Sequence, residues 1–178
     1  MKTAALAWRM LVHPAAGWNE VAECDRRARD TVAHYVLPLA LMPAAGWALR
    51  MQDLGPEVRL VSFAATLVLV TSMVFVLAAS IQLLAPAYQV PRKWSAALSV
   101  AAFGSTPVMA SGLLFVSPVL AAVGVIALMQ ALYLYSIGLR RIMGCRQGDA
   151  AEFTAMAFLA SMVISGALGA AGSALGWL

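Results

Sequence analysis

The chain has 178 residues, 62% of them hydrophobic and only 11% charged, with a net charge of +4. Together with a mean hydropathy of +0.84, this composition excludes an ordinary soluble domain and places the chain among membrane proteins the size of one compact bundle. The twelve basic residues are scattered over short segments instead of forming a stripe with interleaved aromatics, which argues against nucleic acid as a partner.

The first residues superficially resemble a secretory leader, with Lys2 followed by an apolar stretch from Ala4 to Val12, but Arg9 interrupts that stretch and the segment is read as retained. A break at His13-Pro14 precedes a predicted helix from Gly17 to Thr31. On it Trp18, Val21, Ala22, Ala28 and Val32 approximate an apolar stripe, and Glu20, Glu23, Asp25, Arg26, Arg27 and Arg29 occupy the rest. Residues 1–31 are therefore expected to form a short interfacial helical segment, dipping its aromatic and aliphatic side chains into the headgroup region. The plainer alternative is a solvated helix that leads into the first span. Cys24 and Cys145 stand far apart without a CxxC or a histidine partner, so no zinc or redox site is predicted.

From residue 32 onward the chain alternates apolar tracts with short charged segments. Thr31 to Leu49 is long enough for one span, and Leu60 to Pro91 carries a second before Pro86 and Pro91 close it. Trp94 to Leu139 contains no Asp, Glu, Lys or Arg over 46 residues. A single helix of that length would reach roughly 69 Å against a hydrocarbon core of roughly 30 Å, so the tract crosses, turns at Ser117-Pro118 and crosses back. Phe153 to Leu178 supplies the last span. The fold class is all-α, a polytopic five-transmembrane-helix bundle over residues 32–178, with helices near 32–49, 60–85, 95–116, 118–138 and 153–177.

Ten of the twelve basic residues fall on one side of this layout: Lys2, Arg9, Arg26, Arg27, Arg29, Arg92, Lys93, Arg140, Arg141 and Arg146. Only Arg50 and Arg59 lie on the other. The positive-inside rule then makes the N-terminus cytoplasmic and the C-terminus external, and an even number of spans would scramble the bias. Trp47, Tyr88, Trp94 and Trp177 fall near span ends, where amphipathic rings prefer to sit.

Ionisable groups inside a bilayer are costly and mark ion paths or catalysis, yet the spans carry none. His34 lies at the mouth of the first span with no accompanying carboxylate, which disfavours a proton-driven pump. His13 and His34 are the only histidines, too few for a histidine-based site, so no catalytic, cofactor-binding or metal residues are assigned. Gln82 and Gln130, the bulkiest polar side chains at depth, are expected to bond across helices, and Tyr133, Tyr135 and Ser136 to anchor the end of the fourth. Ser105, Pro107, Ser111 and Gly112 mark the third helix for bending, as Pro38 and Pro43 do the first. On the fifth helix Ala157, Ser161, Ser165, Gly169 and Ser173 recur every four residues, and Gly172 and Gly176 form a GxxxG pair. Such a face packs closely against another helix, within the bundle first and in self-association or with another membrane protein second.

Two motifs then carry a family resemblance. One runs from Leu11 to Val21, LVHPAAGWNEV, and the other from Leu132 to Gly144, LYLYSIGLRRIMG. With five spans and a cytoplasmic N-terminus, the chain resembles a bacterial member of the Yip1 domain family over nearly its whole length, with Pro14 and Trp18 matching the motif before the first span and Tyr135, Gly138 and Leu139 the one that closes the fourth. The resemblance implies a multi-pass protein of the bacterial inner membrane, with structural motif residues, no cofactor and no assigned reaction. Eukaryotic relatives associate with Rab GTPases through features missing here: only about thirty residues precede the first span, and Asp53-Leu54-Gly55-Pro56 lacks the tyrosine of the eukaryotic DLYGP motif. GTPase binding is not carried over. The expected role is a non-enzymatic membrane scaffold in contact with the bilayer and with itself or another membrane protein; a transporter or channel component is the alternative, and a lipid-modifying enzyme using His13 or His34 is the third.

Overall fold

A computed structural model describes residues 3–23, 28–117, 120 and 123–174 of the chain. Every regular element among the described residues is helical, and five stretches are long and apolar enough to cross a bilayer: Ala28–Arg50, Pro56–Tyr88, Trp94–Leu114, Val123–Met143 and Ala150–Leu168. The protein is an all-α, multi-pass membrane protein. Two short helices, α1 (Thr3–Val12) and α2 (Pro14–Glu23), precede the spans.

The third span is the axis of the bundle. Buried residues make up 61% of its apolar stretch, against 11% for the second span and 17% for the fifth. The first, second and fourth spans pack around it, and the fifth lies against the second and fourth. Small residues let the backbones approach: Gly46 of the first span meets the backbone at Gly112 of the third, and a side chain on Gly112 would overlap Pro43.

The span limits follow from local chemistry that hydropathy alone does not weigh. The second span begins at Pro56, earlier than the expected Leu60, because Pro56 sits in the first turn, where its missing N–H costs no bond. Glu57 there faces the positive end of the helix dipole. The fourth runs on past Gly138 to Met143, carrying Arg140 and Arg141 in its last turn and stopping at Gly144, whose φ of 74° suits glycine. The fifth starts at Ala150 instead of Phe153. Ser117, before Pro118, is extended as a pre-proline residue should be; Pro118 itself, and Trp177, lie outside the described residues.

In the first span Val32–Val36 forms one π turn, with the Leu37 amide reaching back five residues to the Val32 carbonyl, just ahead of Pro38. Its far end carries Trp47, with the Arg50 guanidinium 5.2 Å from the ring centre. At the opposite end of the bundle, Tyr88 stacks on Phe153 at 4.5 Å and its hydroxyl donates to Glu152 at 3.2 Å, clasping the connections after the second and fourth spans together.

Helices α1 and α2 are part of this bundle. The break expected at His13-Pro14 is present, with the His13 amide bonded to Arg9 and the Gly17 amide to His13. Arg9 and Glu20 pair across it at 2.9 Å. The apolar faces meet protein: Leu6 and Met10 of α1 and Trp18 and Val21 of α2 are buried, with α2 on the fourth span and α1 on Thr106–Ser111 of the third.

The second span ends in a 3-10 turn, Ala85–Tyr88, followed by Gln89 in the left-handed region at φ 56°. The Val90 amide then bonds the Ala85 carbonyl at 2.9 Å, which closes the helix as glycine usually does. A side chain in this conformation costs about 1–2 kcal/mol. Gln89→Gly is expected to raise the stability of the detergent-solubilised protein by about 1 kcal/mol, read from thermal unfolding. An unchanged or lowered midpoint would mean that the Gln89 side chain makes a contact worth its strain.

Candidate functional site

The third span breaks in its middle at Ser105, between helical pieces Trp94–Gly104 and Thr106–Ser111, with Pro107 in the first turn of the second piece. Pro107 has no N–H to give to the carbonyl of Phe103, four residues back, and hydrocarbon offers no water to replace it. The chain supplies the missing donor itself, since Thr106 Oγ1 donates to the Phe103 carbonyl at 2.6 Å. One residue earlier, Ser105 Oγ donates to the Ala101 carbonyl at 2.7 Å.

Two tyrosines meet these hydroxyls from opposite sides. Tyr35 of the first span lies 2.6 Å from Thr106 Oγ1, and Tyr135 of the fourth lies 2.6 Å from Ser105 Oγ. Each Ser or Thr hydroxyl has one proton, already committed to a carbonyl, so in both pairs the phenol is the donor. Three spans are thereby tied at one level by a short polar layer inside an apolar core.

The rings pack as closely as the hydroxyls. Tyr35 lies 4.3 Å from Phe103, centre to centre, and Trp18 approaches Phe103 edge-on at 6.3 Å. A methyl group on Gly104 would overlap the Tyr135 ring, and one on Gly138 would come within 2.6 Å of the Trp18 ring. The indole of Trp18 is fully buried, yet its Nε1 has no hydrogen-bond partner among the described residues.

Beside this layer the second, third, fourth and fifth spans leave a cavity of about 350 Å³. Its wall is apolar except for Ser105, Tyr135 and Ser161, and Leu69, Met73 and Met162 stand at its exposed side.

The residues singled out from sequence divide clearly. Trp18 and Gly138 touch, Tyr135 sits one turn before Gly138 on the same face, Leu139 is fully buried and Pro14 opens α2, so two motifs distant in sequence form one seam. Tyr133 is exposed, whereas Tyr135 is buried. Gln130 does bond across helices, but to α1: its Nε2 donates to the Leu11 carbonyl at 2.8 Å. Gln82 Oε1 is buried without a partner among the described residues. On the fifth span Ala157 and Ser161 are buried in the bundle, and Ser165 Oγ reaches Met73 Sδ at 3.2 Å. Gly169, Gly172 and Ser173 continue the helix, with side-chain surroundings outside the described residues, as is all of Gly176.

His13 and His34 are both exposed, at the α1–α2 break and in the π turn; Cys24 and Asp25 lie outside the described residues. No group of three or more His, Cys, Asp or Glu that could hold a metal occurs among the described residues. Sequence reasoning missed Tyr35 and Thr106, although a hydroxyl residue directly before a mid-span proline is the signal that could have found the pair.

The Yip1 domain family matches residues 8–169 of the chain. No curated protein and no solved structure matches it.

Because Gly138 has no room for a side chain beside Trp18, Gly138→Val is expected to destabilise the protein by about 1–3 kcal/mol, the usual cost of overpacking a core. Gly148→Val, where nothing lies within reach of a Cβ, is the control. Equal unfolding midpoints for the two variants would show that the seam between α2 and the fourth span is not closely packed.

Proposed function

The chain belongs to the Yip1 domain family, and from that membership we propose that it is a non-enzymatic membrane scaffold, acting by holding lipid and other helices rather than by turning over a substrate. What supports this reading is how the interior polar groups of the central layer are used: Tyr35, Thr106, Ser105 and Tyr135 spend their protons on one another and on two backbone carbonyls, one of them freed at Pro107. The layer serves packing.

Association is proposed to use the outer half of the fifth span. Ala157 and Ser161 are committed to the bundle, whereas Gly166 and Ala170 farther along the helix are exposed; in the sequence the small-residue pattern continues through Gly169, Gly172, Ser173 and Gly176. Self-association or contact with another membrane protein follows from such a surface, because backbones can meet there at close range. Gly166→Leu together with Ala170→Leu is expected to reduce crosslinking between tagged copies in native membranes while leaving the unfolding midpoint unchanged, since nothing lies near a Cβ at Gly166. Ser161→Leu should instead destabilise the bundle. Undiminished crosslinking in the first variant argues against this face.

The basic ends of the second and fourth spans are proposed to face the cytoplasm of a bacterial inner membrane. Cys145 is a poor reporter of this, being buried beside Asp149, with burial first and the carboxylate second pushing its thiol up. Gln147 is exposed in the same connection. Gln147→Cys in a chain with its native cysteines replaced is expected to react with an impermeant maleimide only after the membrane is opened; labelling of intact cells would invert the orientation.

A second reading, a small-molecule transporter or channel component, draws on the broken third span and the adjoining cavity. Solute flux in liposomes that disappears on substitution of Ser105 would favour it over the scaffold.

A further inference from the structure

We propose that the cavity between the second, third, fourth and fifth spans is a binding site for a lipid-soluble alcohol, a long hydrocarbon bearing one hydroxyl. The inference goes beyond the scaffold reading and does not depend on it.

Three observations fix the class of ligand. The mouth residues Leu69, Met73 and Met162 are exposed and lie near the middle of their spans, so the opening faces the bilayer interior, where the available molecules are hydrocarbon chains. The cavity volume of about 350 Å³ lies in the range of small-molecule sites, and Val70, Leu77 and Phe158 make its wall apolar. Its three polar side chains, Ser105, Tyr135 and Ser161, have a settled proton count. Ser105 Oγ gives its proton to the Ala101 carbonyl, Tyr135 gives its own to Ser105 Oγ, and Ser161 Oγ gives its own to the Phe158 carbonyl. The phenol oxygen keeps its lone pairs but has no proton left to donate.

The site therefore accepts hydrogen bonds and offers none. A plain acyl chain fills the volume and leaves the phenol oxygen unmatched. A carbonyl or ether oxygen brings a second acceptor. A hydroxyl supplies the donor, which at this depth has no water to bond instead. A free long-chain or isoprenoid alcohol and a hydroxyl carried along an acyl chain share this chemistry.

The test uses the full-length protein reconstituted in phosphatidylcholine liposomes, with 1-hexadecanol carrying a mid-chain diazirine as one probe and its methyl ether as the other. Photolabelling is expected on side chains lining the cavity, with the alcohol favoured by roughly threefold to tenfold, the worth of one neutral hydrogen bond. Ser105→Ala combined with Tyr135→Phe and Ser161→Ala removes all three hydroxyls while keeping the ring on Gly104, and should make the probes equal. Met162→Trp, at an exposed position, should reduce labelling by both. Equal labelling of the wild-type protein by the two probes, labelling confined to outward-facing side chains, or indifference to Met162→Trp would each overturn the proposal. A free alcohol and a hydroxylated acyl chain are then separated by competition, with unlabelled 1-hexadecanol against a phospholipid bearing a 12-hydroxyacyl chain; displacement by neither would also overturn it.

Discussion

A carbonyl that loses its hydrogen bond inside hydrocarbon has no solvent to turn to, and the Phe103 carbonyl loses its usual donor at Pro107. The arrangement of the bundle follows from how that loss is met. Thr106 turns its hydroxyl back onto the carbonyl and needs a donor of its own, which Tyr35 provides; Ser105 makes the parallel arrangement with Ala101 and Tyr135. Each net hydrogen bond contributes only about 0.5–1.5 kcal/mol, but an unsatisfied buried carbonyl costs about 1–3 kcal/mol. The penalty for leaving the break unpaired therefore decides the structure more than the bonds themselves do. It sets how the first span faces the third, and the Tyr135–Ser105 bond ties the fourth span beside it.

Glycine placement completes what the hydroxyls begin. Gly104 and Gly138 each leave room for an aromatic ring, Tyr135 and Trp18 respectively, while Gly46 and Gly112 let the first and third spans touch farther along. Large rings against bare backbone give close packing where no hydrophobic force drives helices together. The fifth span uses the same device more sparingly. Ala157 and Ser161 bring it against its neighbours, and the space next to Ser161 stays open as the cavity.

Much of the fold is written in the charge pattern and the apolar run lengths. Residues 94–139 had to cross twice, and the structure breaks between the third and fourth spans next to Ser117. Span ends were less legible. Hydropathy stops at Arg140, but a helix goes on until a residue such as Gly144 ends it, and Arg140 and Arg141 can reach water on long stems. The motif residues Trp18, Tyr135, Gly138 and Leu139 were visible as motifs, yet their meeting was not, because no periodicity connects α2 with a helix more than a hundred residues away. The cavity left no mark on the sequence at all. Its mostly aliphatic lining, with Phe158 and three hydroxyl side chains, reads like any core, and only the packing of four spans shows that some of this surface faces empty space.

The bond from Gln130 to the Leu11 carbonyl joins residues 119 positions apart. At roughly 5–20 residues per second, translation separates the two partners by on the order of ten seconds. The segment that carries Leu11, made before the spans, therefore cannot complete its docking until the fourth helix has been threaded into the bilayer, and during that interval Trp18 lacks the Gly138 backbone that it packs against. The α1–α2 segment, made before the spans, is fitted late in assembly, and nascent chains stalled before residue 130 should carry it without its bond to the fourth helix.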